Sequence, residues 1–123
     1  MEYNYEINSE SKTIYVITTG DLRVKETAEM GLDILMKAKE LRYKIVFDNR
    51  LSRNKISIGD AYFWFSAHYD TIDKELKKIP TAYLVNENDW EFYFFFQCTN
   101  TNKGIPIKVF LEENAVLNWI KGV

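Results

Sequence analysis

Among 123 residues there is one cysteine, one histidine, two prolines and five glycines. A single Cys98 excludes an internal disulfide, so nothing in the chain asks for an oxidising compartment. His68 and Cys98 are alone of their kinds, which leaves a zinc site short of the three or four donors it needs. The glycines are scattered and form no phosphate-cradling loop. Sixteen basic and 18 acidic residues interleave to a net charge of −2, so no broad field attracts nucleic acid or an anionic membrane. No run approaches the roughly 20 apolar residues of a spanning helix. The start, Met1-Glu2-Tyr3-Asn4-Tyr5-Glu6, lacks the basic and apolar regions of a secretory signal. These absences lead us to expect a cytoplasmic protein with no metal, no cofactor, no nucleic-acid partner and no membrane span.

What is abundant is apolar and aromatic: 46% hydrophobic residues, 15% of the total being Phe, Trp or Tyr. A chain of this length folds as one domain, residues 1–123, with a single core. Tyr3, Tyr5 and Ile7 alternate with polar residues, and Thr13 to Thr19 is β-branched except at Tyr15, so Asn8 to Lys12 reads as the turn of an antiparallel hairpin. Gly20-Asp21 would end it. From Glu26 to Arg42, Ala28, Gly31, Ile34, Leu35, Ala38 and Leu41 recur three or four apart, which makes an apolar helix stripe. Gly31 on that stripe suggests close approach of the helix to a sheet. Lys44 to Asp48 reads as a buried strand and Asn49 to Lys55 as a polar loop.

Ile58, Tyr62, Phe65, Tyr69, Ile72, Leu76 and Ile79 then repeat at spacings of four and three, predicting one helix face that runs from Ser57 to Pro80, with room for a break near Asp70-Thr71. Thr81 to Val85 is a strand; Trp90 to Gln97 is aromatic-rich and suits a strand as well as a buried helix, and is read as a helix because the alternation demands a crossover before the next strand; Ile105 to Leu111 is a strand, and Glu113 to Lys121 a last helix with Ala115-Val116 and Trp119-Ile120 inward. Such alternation predicts an α/β fold: a five-stranded mixed sheet with an N-terminal antiparallel hairpin and about four helices. The order of Thr19-Gly20, Asp48-Asn49-Arg50, Phe95-Phe96, Phe110, Ala115 and Trp119-Ile120 resembles small stand-alone STAS/SpoIIAA-like proteins of bacteria over essentially the whole chain, with a more distant likeness to CRAL-TRIO lipid-binding domains. The resemblance implies a sheet wound as a β-α superhelix and a regulatory or ligand-sensing role, without implying a reaction.

In STAS regulators the resemblance places a phosphorylatable hydroxyl, within Asp-Ser-Ser-Gly, at the start of the second helix. The matching stretch is Lys55-Ile56-Ser57-Ile58-Gly59-Asp60. Ser57 stands at the right place for a phosphosite, since a helix N-terminus welcomes an anion. The preceding Asp and second hydroxyl are missing, and Ser57 with Asp60 three residues on satisfies an ordinary N-cap. Asp48 and Arg50 follow a parallel strand at the edge where open α/β sheets bind ligands. They read either as ligand groups together with Ser57 or as a self-satisfied loop pair. Arg50, Arg53 and Lys55 form a small basic cluster that either grips a phosphate or is simply solvated. A Ser57-His68-Asp48 triad lacks any nucleophile elbow or oxyanion hole, so no catalytic residue is assigned. Phe63 and Trp64 fall off the second helix's stripe and point to a homodimer or protein-partner contact, or to an apolar pocket. The sequence thus points to a non-catalytic regulatory or interaction domain, with a carrier or sensor of a small apolar, lipid-like ligand as the alternative.

Overall fold

A computed structural model describes residues 1–123. Strands β1 (Glu2–Asn8) and β2 (Thr13–Leu22) form the antiparallel hairpin, with Tyr3 opposite Thr18 and Ile7 opposite Ile14. Its turn is held by the Asn8 carboxamide, which accepts the Glu10 and Ser11 N–H groups at 3.0 and 3.1 Å. Helix α1 (Val24–Leu41) leads to β3 (Lys44–Asn54), α2 (Ile58–His68) and two 3₁₀ turns, Tyr69–Thr71 and Leu76–Lys78. Then come β4 (Thr81–Leu84), a 3₁₀ turn (Glu87–Asp89), α3 (Trp90–Thr101), β5 (Ile107–Phe110) and α4 (Glu113–Gly122). The sheet order is β1-β2-β3-β4-β5, with every pair after the first parallel. The chain therefore has the expected α/β fold with a five-stranded mixed sheet and four helices.

Each of three crossovers steps one strand in the same direction, so crossovers of one hand leave α1, α2 and α3 on one face. Ile14, Val16, Ile45 and Phe47 meet Met30, Ile34 and Ala38 of α1 there. Val46, Ala82 and Leu84, one residue out of phase, meet Val116 and Ile120 of α4 on the other face. The α1 end is closed by Arg42 in the left-handed region (φ 61°), with the Tyr43 N–H bonded to the Ala38 carbonyl at 2.9 Å.

Five local expectations fail, each for a physical reason. β2 continues past Gly20 to Leu22, and β3 past Asp48 to Asn54, because the two extensions pair with one another: Thr19 with Leu51, Gly20 with Ser52, Asp21 with Arg53 and Leu22 with Asn54. The polar composition of Asn49 to Lys55 resembles a loop, yet a register shift between Ile17 and Thr19 places Asn49 and Arg50 together opposite Thr18, a bulge that turns consecutive side chains to different surroundings. The second helix ends at His68, and Ile72, Leu76 and Ile79, which mimic its continuation, belong to the 3₁₀ segment beyond it. In α4 Val116 and Ile120 are buried and Trp119 packs against their cluster as expected, but Ala115 is exposed, since the inward spacing of four leaves it off that face. Finally, Gly31 does not admit a close approach: a Cβ built on it meets no atom within 4 Å.

Candidate functional site

The empty space beside Gly31 belongs to a cavity of about 200 Å³ between the sheet and α1, α2 and α3. Phe47 and Tyr83 form its floor, stacked on each other with ring centroids 5.2 Å apart. Phe92 and Phe96 of α3 line one side, and Trp64 and Phe65 of α2 another. Nineteen of 25 lining residues are hydrophobic, so water gains few hydrogen bonds by entering. Tyr83 shows how the space is distributed. It lies on an inner strand, with Tyr93 and Phe96 rings 5.6 and 5.7 Å away, yet its side chain is only half-buried. The uncovered part faces the cavity rather than bulk solvent, and burial still pushes its phenol well above the ordinary range, with no hydrogen bond contributing.

Few polar atoms reach this space. The Thr27 hydroxyl on the wall is buried and has no hydrogen-bond partner. Asn49 reaches inward from the β3 bulge: its Oδ1 accepts from the Thr18 hydroxyl at 2.6 Å, and its Nδ2 donates to the Tyr93 hydroxyl at 2.9 Å. Ser52 completes the buried group by donating to the Asn49 carbonyl at 2.9 Å. Burial raises the Tyr93 phenol, with the Asn49 bond opposing it. This network fastens β2, β3 and α3 together at the C-terminal end of the parallel strands.

The second helix is the side of the cavity that the sequence pattern misplaces. Its inward residues are Ala61, Trp64 and Phe65, at the spacing of one helical face. Ile58 and Tyr62, expected inside, are exposed, while Trp64, expected outside, lines the cavity and stacks on His68 at 4.6 Å between centroids. The heptad-like spacing is satisfied equally by either face because eight of eleven residues in Ile58–His68 are neither charged nor strongly polar, so depth depends on what the sheet offers. Phe63 does point outward, 76% exposed. It stands beside exposed Tyr62, and neither covers the cavity.

Asp48 and Arg50 face α4 rather than the cavity. Arg50 donates Nε and Nη2 to Asp48 Oδ1 and Oδ2 at 2.9 and 2.7 Å, and its own N–H reaches Oδ1 at 3.2 Å. Tyr15 donates its hydroxyl to Oδ2 at 2.9 Å. Burial would raise the Asp48 carboxyl, but the Arg50 and Tyr15 bonds outweigh it and hold the group below the usual carboxylate range. Burial, then the neighbouring carboxylate, pushes Tyr15 up to about 12. Arg50 also stands 3.6 Å from Glu113 at the start of α4. The cluster is a latch between the sheet and α4, with its charges mutually satisfied. Arg53 pairs with Asp21 at 3.0 Å, which leaves Lys55 as the one unpaired member of the basic cluster.

Ser57 caps α2, accepting the Asp60 N–H at 3.1 Å. It lies on the opposite side of the sheet from the Asp48 carboxylate, so Asp48, Arg50 and Ser57 do not converge on one ligand. His68 sits at the far end of α2, roughly 16 Å from Ser57 along the axis, and its Nδ1 is 2.8 Å from the Trp64 carbonyl. The residues the sequence pattern misses are Asn49 and Tyr83, while Gly31 stands out in the sequence but as a position of close packing rather than of open space. A glycine inside an otherwise good helix is the available signal, and the absence of a steric reason for it is visible only in three dimensions. No protein-family model matches the chain, and no curated protein matches it in sequence.

Proposed function

We propose that this is a non-catalytic regulatory domain of the STAS/SpoIIAA-like kind that senses or carries a small apolar ligand in the cavity under α2. The observation that carries the reading is Gly31. A helix-interior glycine costs roughly 1 kcal/mol relative to alanine, and here no neighbouring atom requires it. What it supplies is volume in the cavity wall. The space is somewhat larger than an engineered apolar cavity of roughly 150 Å³ that takes up benzene, which suits a single ring or a short alkyl chain. Half-buried aromatics inside the fold, Tyr83, Phe92 and Phe96 among them, would gain contacts when such a ligand enters. Strand order and three crossover helices on one face support the STAS/SpoIIAA-like part of the reading.

The test is titration calorimetry of wild type and Gly31→Leu with 1-octanol. The leucine side chain grows into the cavity, so the variant should stay folded and lose binding while wild type retains it. Equal binding by both proteins, or none by wild type, refutes the cavity as the site. A protein-contact reading rests on exposed Phe63 and Tyr62, 76% and 55% accessible, on the outer face of the same helix. Sedimentation of wild type and Phe63→Ser at high micromolar concentration tests it: a wild-type dimer that the substitution dissolves supports self-association through α2, and a wild-type monomer refutes it.

A further inference from the structure

Beyond the end of α2, two lysines share one aromatic ring. Lys77 Nζ lies 3.8 Å from the Tyr69 ring centroid, and Lys103 Nζ lies 4.6 Å from the same centroid and 5.6 Å from that of Phe65. The ammonium groups are therefore at most about 8.4 Å apart, both drawn to π-faces. Neither pairs with a carboxylate. Of the acids in the adjoining segment, Asp73 pairs with Lys39 at 2.8 Å and Glu75 with Lys78 at 3.4 Å, while Asp70 makes no ion pair. Two like charges held beside one ring repel, and no direct ion pair offsets that repulsion.

Lys77 lines the cavity, and Lys103 approaches it through Phe65, another lining residue, at 5.6 Å from its ring centroid. Lys77 is the one charged residue on the lining, and the other polar groups are the neutral hydroxyls and carboxamides of Thr27, Asn49, Tyr83, Tyr93 and Asn100, with the Thr81 hydroxyl bonded to the Ile79 carbonyl at 3.1 Å. An apolar body in the cavity with a negative group at the lysines would satisfy both halves. We propose that the ligand is an anionic amphiphile, with its apolar part between Gly31 and Tyr83 and its anionic end between Lys77 and Lys103. The inference rests on the cavity reading and adds the charge of the ligand and its direction in the site.

Octanoate and 1-octanol, which share a chain length and differ in charge, separate the two ideas when titrated into wild type and into the double variant Lys77→Gln/Lys103→Gln. Both side chains are at least partly exposed, so folding should survive, and undiminished octanol binding serves as the control. We expect the double variant to weaken octanoate about five- to tenfold and leave octanol unchanged. The octanoate affinity of wild type should also fall as salt is raised, because the lysines are reached from solvent. Octanoate binding that is indifferent to the lysines, or equal losses for both probes, overturns the anionic end while the cavity stands. Failure of both probes to bind wild type overturns the cavity and the anionic end together.

Discussion

Replacing Gly31 by alanine in ligand-free protein should stabilise it, and the sign of that change decides how α1 meets the sheet. The residue lies in the middle of Val24–Leu41, away from both ends, with no positive φ to penalise a side chain. Helix propensity then favours alanine by about 0.8–1 kcal/mol. The new methyl points into space with no atom inside 4 Å, so it adds little strain and only part of the roughly 0.8 kcal/mol that a fully buried methylene contributes. The net expectation is about 1 kcal/mol of added stability. At some 2.1 cal/mol/K of unfolding entropy per residue, that is about 4 °C in Tm for a domain of this size. Thermal unfolding followed by circular dichroism on wild type and Gly31→Ala measures it directly, with urea titration as a second readout. A fall in Tm of several degrees would mean the helix packs tightly at residue 31, where an inserted methyl costs about 1–3 kcal/mol. That result would refute the open wall and, with it, the volume-supplying role of glycine at this position.

Asp48→Asn should destabilise the protein by roughly 1–3 kcal/mol near pH 7, because Arg50 and Tyr15 lose a charged acceptor in a buried place. The carboxyl is held below its unfolded value, so this stability is present above the unfolded pKa near 4 and is lost as pH falls through the folded one; a wild-type advantage that persists undiminished at pH 2 would contradict the latch. Tyr15, raised to about 12, behaves with the other sign. Its contribution is complete below about 10 and disappears as pH climbs through 12, which alkaline unfolding of wild type against Tyr15→Phe can resolve. Ser57→Ala should cost about 0.5–2 kcal/mol through the lost cap, and an unchanged Tm would argue that the Asp60 N–H finds another acceptor. Phe63→Ser should leave stability within about 0.5 kcal/mol of wild type in the monomer, whereas Trp64→Ala should lower it and enlarge the cavity; the reverse order would mean that α2 turns a different face to the sheet.

Most elements and their order were legible because period-2 and period-3.6 patterns do not resemble one another, and because three long crossovers leave little choice of parallel partner; Trp90 to Gln97, whose aromatics suit either period, was assigned only by the need for a crossover. Ser57 as a cap was legible too, since its chemistry is local. The extension of β3 through Asp48, Asn49 and Arg50 was not, because backbone pairing with Thr19–Leu22 is indifferent to the polar side chains that made the segment resemble a loop. Nor was the choice between Ile58 and Trp64 as the inward residue of α2. Where nearly every position is apolar, orientation is settled by what the sheet and the neighbouring helices offer, and that is information held by other elements. The cavity itself is a deficit of atoms, and a spacing pattern records only the atoms present.

That the space under α2 holds a small apolar ligand is tested most directly by native mass spectrometry of the freshly purified protein, followed by the same measurement after 1-octanol is added to protein stripped of bound molecules. The expected result is a single adduct per chain, displaced or absent in Gly31→Leu. A protein that emerges clean before and after octanol, with Gly31→Leu indistinguishable from wild type, would contradict it.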